Sequence, residues 1–179
     1  MICINLTAQP GAGKSTLAAA TFAKLKMLGI NCELVTEFAK DKVWENNKMA
    51  LSNQIYIFAK QYYRMDRCAG KVDVIITDSP LTLTPLYCKD KEILEPLTKL
   101  STIVFNRYDN LNYFIKRVKK YNPVGREQTE AESDALIPVL KKCLADQNIA
   151  YKEIDGDLTS VDIIVHDVLK LLGIEAGNH

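Results

Sequence analysis

Apolar positions along the chain follow two alternating rhythms. Short, nearly unbroken apolar runs lie at Ile2–Leu6, Cys32–Thr36, Val72–Thr77, Thr102–Phe105 and Ala150–Ile154. Short runs rich in β-branched residues predict strands buried on both faces. Between them, apolar residues recur every three or four positions. Leu17, Thr21, Leu25 and Leu28 share one helical face, and Gly29 follows as a stop. Val161, Ile164, Val165, Val168 and Leu172 repeat the pattern near the end, with Gly173 behind them. Residues 50–67 read as one further helix and Thr129–Gln147 as another. Thr129 and Glu132 have the spacing of a capping box, while Pro138 either kinks that helix or delays its start. Strands alternating with helices predict an α/β domain with a five-stranded, mostly parallel sheet covered on both faces.

Composition narrows the class. The chain has 179 residues, 47% hydrophobic and 25% charged, which suits a single soluble domain with a good core. No apolar run approaches the roughly 18 residues that span a bilayer, and direct entry into an apolar strand without a basic n-region predicts that no secretory signal is present. The formal charge of +1 supplies no global field toward nucleic acid or an anionic membrane. Five scattered cysteines and two lone histidines form no metal spacing. They predict reduced thiols in a cytoplasmic protein. No pattern specifies an oligomeric state.

The chemistry begins after the first strand, with "AQPGAGKST" at residues 8–16. Its place between a strand and a helix is the context of a phosphate-binding loop. Pro10, Gly11, Ala12 and Gly13 form the turn, where the glycines let successive N–H groups face a phosphate. Lys14 is expected to reach the β- and γ-phosphates of ATP, Ser15 to hold Mg²⁺, and Thr16 to serve the α-phosphate. Ala8 stands where the pattern G-x-x-x-x-G-K-[ST] begins with glycine, and a small residue suffices there if φ stays negative. The third strand ends in "IITDSP", which makes Asp78 the expected second magnesium residue. An Asp-Glu pair, an N-K-x-D guanine motif and an ABC-type signature are all missing. Elimination leaves a small ATP-dependent kinase.

The remaining candidates surround that loop. Glu37 ends the second strand, where open α/β sheets build their sites, and is the candidate base for an acceptor hydroxyl. Asp41, one helical turn on, competes for that role. Trp44 is a candidate wall for a ring-shaped acceptor. Gln54, Gln61 and Arg64 share a helical face that could contact the acceptor, with Arg67 beyond them; a solvated face is the alternative. The basic stretch at about 107–130 is the expected lid. It carries Arg117 as a nucleotide contact and Arg126 as the arginine that completes the cradle around the transferred phosphate. "IDGD" at 154–157 is the expected adenine-side loop.

Taken together, "PGAGKST", "ELVTEFAKD", "IITDSP", "GREQTE" and "DGD" resemble the P-loop nucleoside and nucleotide kinases. They are most similar to the nicotinamide riboside kinase-like group of small ATPase/kinase domains, many of them phage-encoded. "TEFAKDKVW" also resembles the glutamate and nearby tryptophan of deoxynucleoside kinases, with Phe38 in place of their proline. The resemblance implies a three-layer fold with strand order 2-3-1-4-5, a mobile lid, Mg-ATP, and phosphoryl transfer to an alcohol. A nucleoside-like acceptor is the expectation. A nucleoside monophosphate held by Arg64 and Arg67, a hydroxymethylated base in phage DNA, and a non-catalytic ATP-binding regulator are the alternatives.

Overall fold

A computed structural model describes residues 1–122, 124 and 129–174. Five parallel strands form one sheet in the order β2-β3-β1-β4-β5. They are β1 (Ile2–Thr7), β2 (Cys32–Val35), β3 (Val74–Thr77), β4 (Asp109–Lys116) and β5 (Lys152–Asp155). The helices are α1 (Lys14–Met27), α2 (Phe38–Trp44), α3 (Lys48–Ser52), α4 (Gln54–Asp66), α5 (Lys91–Phe105), α6 (Glu130–Asp146) and α7 (Thr159–Leu172). A 3-10 helix, Leu81–Tyr87, follows β3. Among the described residues no helix is long and apolar enough to cross a membrane.

Alternation along the strands divides the core. Ile4 and Leu6 of β1 and Ile76 of β3 pack with α1 and α7, through Leu17, Leu25, Ile164 and Val168. Cys3 and Ile75 face the other way, onto Phe58, Met65, Leu97 and Val104 of α4 and α5. Both faces of the sheet are therefore covered, as the apolar strand runs require. The termini of α1, α6 and α7 follow the sequence signals. Gly29 (φ 77°) and Gly173 (φ 68°) turn the chain out of α1 and α7. Thr129 and Glu132 form the capping box, and α6 runs through Pro138 without ending.

Two expectations are corrected. Thr102–Phe105 is not a strand but the last turn of α5, whose buried residues Leu97, Ser101 and Val104 recur at helical spacing. The fourth strand is instead "DNLNYFIK", which begins at Asp109 after a short turn. Asn110 and Asn112 disguised it, because a central parallel strand is ordinarily apolar. They are tolerated because buried Asn5 on β1 donates to Asn110 Oδ1 at 2.8 Å and to Asn112 Oδ1 at 3.0 Å. Residues 109–116, inside the stretch expected as a lid, belong to the sheet. The helix expected over 50–67 is also broken. Asn53 ends α3 and caps α4, accepting from the Tyr56 N–H at 3.0 Å.

Candidate active site

At the carboxyl edge of the sheet, β1 runs into the loop 8–13 and then α1. Gly11 (φ 82°) and Gly13 (φ 103°) take left-handed conformations that L side chains rarely adopt. Ala8 is buried and is absent from the residues with positive φ, so alanine serves there in place of glycine. The Lys14 ammonium reaches back over the loop, donating to Ala8 O at 2.8 Å and Gln9 O at 3.4 Å. Ser15 and Thr16 are exposed at the first turn of α1, where the helix dipole favours an anion.

Asp78 is the hub. It follows β3, is 4% exposed, and uses both carboxylate oxygens. Its Oδ2 accepts from the Ser15 hydroxyl at 2.6 Å, and its Oδ1 accepts from the Glu37 backbone N–H at 3.0 Å. Ser15 and Asp78 thus bring two hard oxygen donors together beside the phosphate loop. That donor set suits Mg²⁺, which is ordinarily held by one or two protein oxygens and completed by water and phosphate. No cluster of three acidic, histidine or cysteine ligands exists among the described residues.

Glu37 stands at the N-terminus of α2 but does not cap it with its side chain. Other elements satisfy the amides there: Asp78 takes the Glu37 N–H, and Gln61 Oε1 takes the Phe38 N–H at 2.8 Å. The Glu37 carboxyl is half-buried beside the loop. Burial raises its pKa above the ordinary carboxylate range, Lys14 opposes the shift, and Asp78 adds to it.

The other sequence candidates part company. Asp41 is ion-paired with Arg64, which also donates to Thr36 O at 3.1 Å and lies over the Phe38 ring. Gln61 is 2% exposed, and its amide is used on backbone at the β2–α2 turn and on Thr77. Its role here is to fix the start of α2. Gln54 donates to Leu51 O at 2.7 Å and closes the α3–α4 junction. Trp44 is 62% exposed at the end of α2. Arg67 bonds the Arg64 carbonyl. Arg117 is held at the start of α6 by Asp134, at 2.7 Å, and Glu130, at 3.1 Å, and stacks on Tyr121. Arg126 lies outside the described residues.

Three contributors carry no clear signal in the sequence. Ser133, fully buried on α6, donates to Pro10 O at 2.7 Å and so holds the phosphate loop from the side. Tyr87, 52% exposed as a residue, ends the 3-10 helix near Glu37; desolvation of its hydroxyl, then Glu37 and Cys143, push its pKa up. Val118 and Lys119 line a cavity of about 230 Å³ with Thr16, Gly156, Asp157 and Leu158. The "DGD" segment therefore borders the loop's helix where the sequence places an adenine-side contact. Of these residues Thr16 belongs to the phosphate-loop motif, Lys119 to the basic stretch, and Gly156 and Asp157 to "IDGD"; an isolated serine, tyrosine or valine signals nothing.

No protein-family model and no curated protein matches the chain. Among solved structures it is similar to the shikimate kinase from Bacteroides thetaiotaomicron, with a TM-score of 0.53 and 16% identity. That likeness covers 97% of this chain and 99% of that one. It shows the fold: a small P-loop kinase architecture.

Proposed function

We propose that the chain is an ATP-dependent phosphotransferase that moves the γ-phosphate of Mg-ATP to a hydroxyl of a small nucleoside-like acceptor. The observation that carries this reading is the Asp78 bridge. One carboxylate ties the first turn of the phosphate-loop helix to the backbone of Glu37. A nucleotide-binding regulator has no need of a half-buried carboxylate held at that point and left out of the helix cap.

Each residue then has a task. The loop amides and Lys14 bind the phosphates, and Lys14 stabilises charge developing on the transferred group. Lys14 leaves its carbonyl partners to do so. Ser15 and Asp78 would hold magnesium, which neutralises charge on the β- and γ-oxygens when bound. Glu37 accepts the acceptor's proton; its raised pKa makes it a better base than an exposed carboxylate. Asp41 is the weaker candidate, because Arg64 neutralises it. The cavity beside Gly156 suits the base of ATP. Arg126 keeps its proposed lid role on sequence grounds.

The nucleoside-like acceptor rests on the resemblance of "TEFAKDKVW" to nucleoside kinases; the likeness to a shikimate kinase supports the fold alone. A nucleoside monophosphate is disfavoured, since Arg64 is committed to Asp41 and Thr36. The test is transfer of labelled γ-phosphate to panels of nucleosides, nucleotides and hydroxymethylated DNA. Labelled nucleoside, lost in Glu37→Gln, is the expected result. Label in no acceptor, with ATP bound, would favour the regulator.

A further inference from the structure

We infer that Gly156 is a positioning residue for the phosphate loop, through direct backbone contact between the loop after β5 and the peptide joining Ala12 to Gly13. The inference rests on the phosphotransferase reading above. Gly156 needs no left-handed backbone; it is glycine for want of space. A β-carbon there would overlap the Ala12 carbonyl oxygen and lie 2.9 Å from Lys116 O and 3.2 Å from Ile115 Cγ2. Two of these neighbours are backbone, and Ile115 is fully buried, so none can yield cheaply.

The contact is two-sided. A β-carbon on Gly13 would lie 3.2 Å from Gly156 O, so Gly13 leaves room for the Gly156 carbonyl as Gly156 does for that of Ala12. Gly156 is itself pinned, its N–H donating to Lys116 O at the end of β4 at 2.8 Å. A point fixed to the end of β4 therefore bears on the peptide whose N–H belongs to Gly13, one of the amides that would face a bound phosphate. Ser133 grips the same loop two residues earlier, at Pro10 O. The cradle's shape is set from outside by β4, β5 and α6, and not by its own sequence alone. The segment that borders the base-side cavity is thus mechanically part of the phosphate site.

A ligand without a base separates this from an effect on adenine. Calorimetry with magnesium and either ATP or inorganic triphosphate should show Gly156→Ala weakened by roughly tenfold or more for both. Leu158→Ala, which alters only the cavity wall, should weaken ATP and spare triphosphate. Circular dichroism and the unfolding midpoint establish that each variant is folded. Triphosphate affinity unchanged in folded Gly156→Ala overturns the inference. Amide NMR of the unmodified protein tests the same contact without a variant. Triphosphate that moves the Gly11–Lys14 signals should also move Gly156, and a stationary Gly156 signal contradicts the contact's role. Wild-type protein that binds neither ligand overturns the phosphotransferase reading and this inference together.

Discussion

The two oxygens of Asp78 face two different elements: one accepts the Ser15 hydroxyl at 2.6 Å, the other the Glu37 N–H at 3.0 Å. Asn in its place can still accept from Glu37 through its carbonyl, but its NH₂ cannot accept from Ser15. Asp78→Asn should therefore leave α2 in place and damage the metal site. We expect Mg²⁺-supported turnover to fall by roughly 10²-fold or more, with little change in metal-free nucleotide affinity. A magnesium titration of rate checks this; unchanged metal dependence would reduce Asp78 to a structural bridge.

Lys14 rests on the carbonyls of Ala8 and Gln9 and is half-buried. Lys14→Ala removes a cation that stabilises the transferred phosphoryl group, and we expect turnover to fall by roughly 10²–10³-fold with the fold retained. Steady-state rates beside a circular dichroism spectrum measure both. Near-normal turnover in a folded variant would exclude phosphoryl transfer at this loop.

Gln61 separates a structural part from a substrate contact. It is 2% exposed and takes the Phe38 N–H, so Gln61→Ala leaves that buried amide without its partner. A loss of about 1–3 kcal/mol is expected in denaturant unfolding. Glu37 should be displaced with it, lowering kcat more than ATP affinity. A variant of unchanged stability but raised acceptor KM would return Gln61 to the acceptor site.

The raised pKa of Glu37 has a stability consequence of definite sign. The folded state keeps this proton to higher pH than the unfolded state does. Between the ordinary carboxylate pKa and the raised one, the native state therefore binds more protons, and the contribution to stability falls as pH rises. Glu37→Gln has no such window. Its stability relative to wild type should grow as pH climbs through that range and then level off. Unfolding midpoints of both proteins across pH test this; parallel curves would mean an unperturbed carboxyl.

What is legible in the sequence is what local chemistry dictates. GAGKST, the caps at Gly29, Thr129 and Gly173, and the apolar runs of β1 and β3 follow from backbone conformation and burial, and the structure agrees. β4 is not legible, because Asn110 and Asn112 are satisfied by Asn5 more than a hundred residues away. Distance along the chain likewise hides Ser133, whose partner is Pro10, and the structural use of Gln61 at the start of α2. Spacing places Gln54, Gln61 and Arg64 on one face but cannot show what already occupies them. Phe38 stands where deoxynucleoside kinases have proline, and its N–H is the donor that Gln61 binds.

The central claim is that Glu37 takes the proton of an acceptor hydroxyl beside Lys14 and Asp78. It is tested most directly by kcat and ATP affinity in Glu37→Gln and Asp41→Asn, measured with an acceptor the wild-type enzyme labels. Glu37→Gln should lose roughly 10²-fold or more in kcat and bind ATP as wild type does. Asp41→Asn should keep most of its kcat, since its partner Arg64 is also held by Thr36 and Phe38. Full kcat in Glu37→Gln, with its loss in Asp41→Asn, would contradict the assignment and move the base one helical turn along α2.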